Sequence, residues 1–185
     1  MTKRRLPFYG GPLDYSFKEM NRVEDVLDEE LNSGTLKSEV MDPRKLNSVA
    51  VRLNNNNLTT LEGLEEVLAQ ILDDPAQLSW LDVSNNRLTT IEPILYKFTN
   101  LSVLYFHGNL IDRTRELEKL GKLELLTKVT MHNNPVDQVP NYRMHVLTAC
   151  PCLRSHDFSG VTKLDRDTAM TWLRAHPKHP KEAAP

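Results

Sequence analysis

Residues 81–88 read Leu81-Asp82-Val83-Ser84-Asn85-Asn86-Arg87-Leu88, and the same word occurs three more times. Its other copies are Val51-Arg52-Leu53-Asn54-Asn55-Asn56-Asn57-Leu58, Leu104-Tyr105-Phe106-His107-Gly108-Asn109-Leu110-Ile111 and Val129-Thr130-Met131-His132-Asn133-Asn134-Pro135-Val136. Each is apolar-x-apolar-x-x-Asn-x-apolar, with a further apolar or Thr position three residues on at Leu61, Ile91, Thr114 and Val139. The fixed Asn residues lie 30, 23 and 25 positions apart, close to the roughly 20 to 29 residues of one class of stacked repeat. The 28 Leu and 14 Asn of the 185 residues are the compositional trace of that repetition. Alternation within each word gives a short strand with apolar side chains on one face. No single repeat can bury that face, so neighbouring repeats must stack. The expected fold is α/β, a solenoid with a short curved parallel sheet of about five strands backed by helices.

Working outward, residues 48–139 carry the repeats. The apolar residues of Leu61 to Asp74 have helical spacing, and Ile91 to Phe98 and Leu117 to Leu126 stand in the equivalent places. Asn56, Asn86, Asn109 and Asn134 form a structural ladder, because an amide at each turn can satisfy backbone groups that the strand leaves unpaired. Residues 17–47 form an N-terminal cap, with a helix expected from Phe17 to Leu31 on the spacing of Phe17, Met20, Val23, Val26 and Leu27. Residues 1–16 read as an extended arm, 140–174 as a C-terminal cap with a degenerate fifth strand near Ser155 to Phe158, and 175–185 as a flexible, Pro-rich tail. Leu13, Tyr15 and Phe17 alternate, so the end of the arm is expected to dock as a strand on the cap or on a partner.

Composition narrows the function. With 23 Lys+Arg against 25 Asp+Glu, the net charge of −2 argues against a dedicated nucleic-acid or membrane-surface protein. No apolar run reaches membrane-spanning length. Cys150 and Cys152 cannot make a disulfide framework; both are expected to pack in the C-terminal cap of a cytoplasmic protein. No Gly-rich phosphate loop, nucleophile elbow or zinc-ligand spacing is present, so no catalytic, cofactor-binding or metal residue and no small-molecule substrate are expected. His107 and His132 share a position in consecutive repeats, about 4.8 Å apart on aligned strands, but Asn54 and Ser84 precede them and supply no third ligand.

What such a sheet offers is surface. The outward residues form columns: Arg52, Asp82, Tyr105 and Thr130 in one, and Ala50, Trp80, Val103 and Lys128 beside it. Trp80 and Tyr105 are aromatic anchors that the core does not need. Trp80, Asp82, Tyr105, Arg52, His107, Lys128 and His132 are the candidate protein-binding residues, with Asp82 expected to favour a basic partner segment.

The C-terminal run Asn134-Pro135-Val136, Tyr142-Arg143, Cys150-Pro151-Cys152-Leu153 and Asp157-Phe158 resembles the cap of the short intracellular leucine-rich repeat proteins, which include a phosphatase-1 regulator and the spliceosomal A′ subunit. The arm word Pro12 to Phe17, the repeat Asn100 to Asn109 and the cap word Asp157 to Lys163 are similar to one branch of that family over most of residues 12–170. That resemblance implies a non-catalytic protein bound to protein partners, as a subunit of a large assembly of motile cilia, and a place in the cytoplasm or the ciliary axoneme. It leaves two other roles open, an RNA-associated spliceosomal-type protein and a phosphatase regulatory subunit.

Overall fold

A computed structural model describes residues 10–32 and 46–176. The first nine residues of the arm, much of the 17–47 segment and the tail beyond His176 lie outside the described residues. The elements run β1 (Leu13–Asp14), β2 (Ala50–Arg52), α1 (Leu64–Ile71), β3 (Trp80–Asp82), β4 (Val103–Tyr105), α2 (Thr114–Lys119), β5 (Lys128–Thr130), α3 (Tyr142–Ala149), β6 (Ser155–His156), β7 (Ser159–Gly160) and α4 (Lys163–Ala175). The strands form one sheet in chain order, parallel from β1 to β6 and closed by an antiparallel β6–β7 hairpin. Seven strands replace the expected five, because the arm adds one at the start and the hairpin one at the end.

The repeat core follows from the alternation. Val51, Leu53, Leu81, Val83, Leu104, Phe106, Val129 and Met131 are all buried on the inner face of the sheet. Across from them stand Leu64, Val67 and Leu68 of α1, Leu95 of a 3-10 turn at Pro93–Lys97, and Leu117 of α2. The convex element shortens with the repeat: the longest interval holds eight helical residues, and the next holds only the 3-10 turn, opened by Pro93.

Each ladder Asn closes the same set of bonds. The Asn86 side-chain oxygen accepts the Leu58 N–H at 3.0 Å, and its NH2 donates to the Leu53 carbonyl at 2.9 Å and the Val83 carbonyl at 3.0 Å. Asn109 joins Leu88, Val83 and Phe106 in the same way, and Asn134 joins Ile111, Phe106 and Met131. The carbonyls of Leu53, Val83 and Phe106 therefore each accept from two successive Asn residues, using both lone pairs. The residue before each Asn is left-handed: φ is 57° at Asn55, 53° at Asn85, 68° at Gly108 and 56° at Asn133. At Gly108 a Cβ would run into the Asn85 side chain, so the third repeat needs glycine there.

A second ladder lies in the duplicated words Leu58-Thr59-Thr60-Leu61-Glu62 and Leu88-Thr89-Thr90-Ile91-Glu92. Glu92 reaches back to the Thr60 hydroxyl and the Leu61 N–H, and Glu116 reaches back to those of Thr90 and Ile91. Burial pushes the Glu116 carboxyl up, but the Lys119 ammonium at 2.7 Å and the Thr90 hydroxyl outweigh it and hold it ionised.

The N-terminal cap differs from the expected helix over Phe17 to Leu31. Residues 13–20 instead trace a complete repeat turn: Leu13 and Tyr15 are buried, Phe17 takes the left-handed position with φ 58°, and Asn56 accepts the Lys18 and Met20 N–H groups. Phe17 is thereby turned outward, 72% exposed. Only Val23–Asp28 is helical, as a 3-10 segment burying Val23 and Val26 while Leu27 faces water. Asn32 covers the β1 edge, donating its backbone N–H to the Asp14 carbonyl at 2.9 Å.

At the other end α4, thirteen residues opened by a Thr162/Asp165 capping box, packs on α3 and runs one residue past the expected tail boundary. Cys150 is buried in this cap, but Cys152 is exposed, contrary to the expectation for both. Asp157 replaces the next ladder rung. Its Oδ1 accepts the Met131 and His132 N–H groups at 2.7 and 3.1 Å, and its Oδ2 accepts the Tyr142 hydroxyl at 2.9 Å. Beside it, buried His156 lies with Nδ1 3.3 Å from the Arg143 guanidinium. Arg can only donate, so Nδ1 accepts and the proton sits on Nε2, facing Tyr142 and Asp157. Burial holds His156 neutral, with its pKa down at about 4.

Two outcomes follow from these ladders. Replacing Asn86 by Ala leaves one buried N–H and two carbonyls short of a partner, which costs on the order of 1 to 3 kcal/mol. Asn86→Asp keeps the acceptor but not the donors, so it too lowers the urea midpoint; a midpoint equal to wild type in both variants contradicts the ladder. For His156, the unfolded chain takes up a proton at 6.5 while the folded chain does so only at about 4, so acidification across that window favours unfolding. The stability withdrawn between pH 6.5 and 4 is on the order of 3 kcal/mol, and thermal melts of His156→Gln over this range should show a distinctly shallower pH slope than wild type.

Candidate protein-binding surface

The parallel register sets the outward columns. Ala50, Trp80, Val103 and Lys128 align across β2 to β5, as do Arg52, Asp82, Tyr105 and Thr130. Strand spacing and the one-residue diagonal bring the Trp80 and Tyr105 rings edge to face, with centroids 5.8 Å apart and planes at 84°. The Arg52 guanidinium lies 5.0 Å over the Trp80 ring and 3.4 Å from Asp14. In the third column His107 and His132 stack at 4.6 Å with planes 7° apart. Their Nδ1 atoms are turned to different partners, Thr130 Oγ1 at 2.8 Å and Asp157 Oδ1 at 3.2 Å. Burial, and then the neighbouring His132, lower the pKa of His107.

Two of the expected residues stand apart from this cluster. Lys128 is exposed at the sheet's lower rim and touches none of the rings. Asp82 is only 9% exposed, and its Oδ1 accepts both the Ser84 N–H at 3.0 Å and the Ser84 hydroxyl at 2.6 Å. Asp14 and Ser16 make the same turn one position earlier in the solenoid. The Asp-x-Ser word therefore serves the fold, and Asp82 does not present the charge expected of it. The ladder residues Asn56, Asn86, Asn109 and Asn134 are buried and take no part in the surface.

The residue missed was Phe158. Both residues of the β6–β7 turn are left-handed, φ 49° at Asp157 and 61° at Phe158, a rare conformation for a Phe. It throws the Phe158 ring back over the sheet against Tyr105, His107 and His132, at centroid distances of 5.6, 5.9 and 5.7 Å, while leaving it 65% exposed. The Asp157-Phe158 word was visible in the sequence, but the reversal that carries the ring across three strands was not. Trp80, Tyr105 and Phe158 thus form a continuous aromatic ridge, with Arg52 at one end and the His pair along its side. Asp157 supplies a carboxylate to His132 from outside the column, yet among the described residues no group of three His, Cys, Asp or Glu is arranged to hold a metal ion. No helix among them is long and apolar enough to cross a membrane.

Comparison with known proteins gives this architecture a family. The leucine-rich repeat family model matches residues 47–184. Leucine-rich repeat-containing protein 51 of Rattus norvegicus is 44% identical over 170 residues, 92% of this chain and 88% of that protein. A probable U2 small nuclear ribonucleoprotein A' of Caenorhabditis elegans is 34% identical over 100 residues, 54% of this chain and 40% of that protein. Among solved structures, the Drosophila melanogaster SNF/U2A' complex contains a chain with the same fold, at a TM-score of 0.64 and 23% identity over 89% of this chain and 82% of that one. The stacked strands, the Asn ladder and this similarity over nearly the whole length agree: the chain belongs to the leucine-rich repeat family and to its branch of proteins named leucine-rich repeat-containing protein 51.

Proposed function

We propose that the chain is a non-catalytic protein-interaction module whose partner seats on the ridge of Trp80, Tyr105 and Phe158. The observation that carries this reading is the exposure of Phe158 on a left-handed backbone, held by contacts that the repeat core does not require. Trp, Tyr and Phe on a rigid sheet supply contact area at little cost in conformational entropy. Arg52, His107 and His132 border the ridge with polar groups, and Lys128 lies at its rim. A subunit of a large ciliary assembly in the cytoplasm or axoneme is the setting that the family resemblance supports. The similarity to A' proteins favours a second reading, an RNA-associated assembly in which the chain still binds protein. A phosphatase regulatory role is the weaker alternative, since Asp82 is taken up by Ser84.

The test is affinity capture from ciliated tissue with the wild type and a Trp80→Ala, Tyr105→Ala double variant. Both side chains are only partly buried and outside the core, so the variant should keep a native melting transition. Its specific co-purifying proteins should fall by about thirtyfold or more, as expected when anchors worth about 2 kcal/mol or more are removed. An undiminished set would rule out the ridge, and a set of spliceosomal components would favour the second reading.

A further inference from the structure

Resting on that reading of the ridge, we propose that the segment it receives is acidic: an apolar side chain seats over Tyr105 between Trp80 and Phe158, and flanking carboxylates meet Arg52 and Lys128. The argument is one of committed and uncommitted charge. Among the described residues of the outward columns, each carboxylate is already engaged. Asp14 accepts from the Ser16 N–H and hydroxyl and from Asn32, and pairs with Arg52. Asp82 carries the two Ser84 donors. Asp157 holds Met131, His132 and Tyr142. The cations are not spent in the same way. Lys128 is exposed and makes no ion pair among the described residues, and the Arg52 side chain remains 43% exposed with donors to spare. The charge this face offers an incoming chain is therefore positive, although the protein's net charge is −2.

Arg52 and Lys128 stand on β2 and β5, three strand steps apart, or about 15 Å at the usual strand spacing. The aromatic ridge lies between them, so one short segment can meet both. A single-stranded nucleic acid is also anionic, but its bases need open ring faces. Here Trp80 and Tyr105 stand at 84°, Tyr105 and Phe158 at 64°, and Arg52 already covers a Trp80 face. A protein carboxylate and an aliphatic or aromatic side chain fit this arrangement better than stacked bases.

Selection of random displayed peptides of about 16 residues, long enough to reach both cations, against the full chain tests the proposal. Enriched peptides should carry Asp or Glu on both sides of an apolar residue. Arg52→Gln with Lys128→Glu should weaken them about tenfold or more, while Lys122→Glu, a charge change on the convex side, leaves them unchanged. Lys128→Glu alone carries the test if the double variant melts early. Neutral or basic peptides that still require Trp80 and Tyr105 overturn the charge assignment and leave the ridge standing. Peptides indifferent to Trp80→Ala and Tyr105→Ala overturn both. Equal weakening by Lys122→Glu, no enrichment at all, or binding of a random single-stranded RNA pool in place of peptides also overturns the acidic segment.

Discussion

The side-chain amide of one Asn per repeat is the constraint on which the rest of the structure depends. Each amide accepts one N–H from the preceding turn and donates to two carbonyls, one in the preceding repeat and one in its own. A carboxylate could not make those donations and an aliphatic side chain could make none of the three. Because those backbone groups are buried, their alternative is an unsatisfied state rather than water. The amides therefore fix where each strand ends, and the ends of the strands fix the register that lines up the apolar rows. Burial of Leu81, Leu104 and their neighbours supplies the larger free energy, but it is indifferent to register. The Asn ladder supplies the register.

A repeat stack is only as sound as its ends, since each unit is held by its nearest neighbours. The two ends solve the problem with different chemistry. At the start, a strand with no Asn of its own lies under Asn56, which gives Lys18 and Met20 the acceptor that later repeats receive from theirs. At the finish, no further Asn arrives, and the Asp157 carboxylate takes its place for Met131 and His132. A carboxylate suits a last rung because it need only accept. Tyr142, His156 and Arg143 surround it so that its charge is neither exposed nor isolated.

What the sequence made legible was whatever obeys a short period. The columns from Arg52 to Thr130 and from Ala50 to Lys128 follow from alternation alone, and the His107–His132 contact follows from strand spacing. What it concealed were features decided by a single residue's backbone or by a partner distant in sequence. The apolar spacing from Phe17 to Leu27 suits a helix, yet Tyr15 and Met20 gain more by completing a repeat turn beneath Asn56, which turns Phe17 out to water. Asp82 occupies an outward position and is still withdrawn, because Ser84 two residues on folds its hydroxyl onto the carboxylate. That Asp-x-Ser word occurs at both Asp14 and Asp82, and the Leu-Thr-Thr-apolar-Glu word occurs twice as well; both were signals available in the sequence. Phe158 had no such signal, since its place depends on two successive left-handed residues.

The last step joins the C-terminal cap to the surface. A left-handed Phe is unfavourable by roughly 1 to 2 kcal/mol, so it persists only where the surroundings over-determine it. Here they do so on both sides: Asp157 is pinned through its carboxylate, and the Phe158 ring lies against Tyr105, His107 and His132. The same carboxylate that terminates the ladder therefore holds the exposed aromatic in position. Fold and surface share a residue at this point. Because the ring is fixed before any partner arrives, little of its binding free energy is lost to ordering. The strain in the turn is thus offset by the cap, and the ridge is left rigid without any contribution from the molecule it meets.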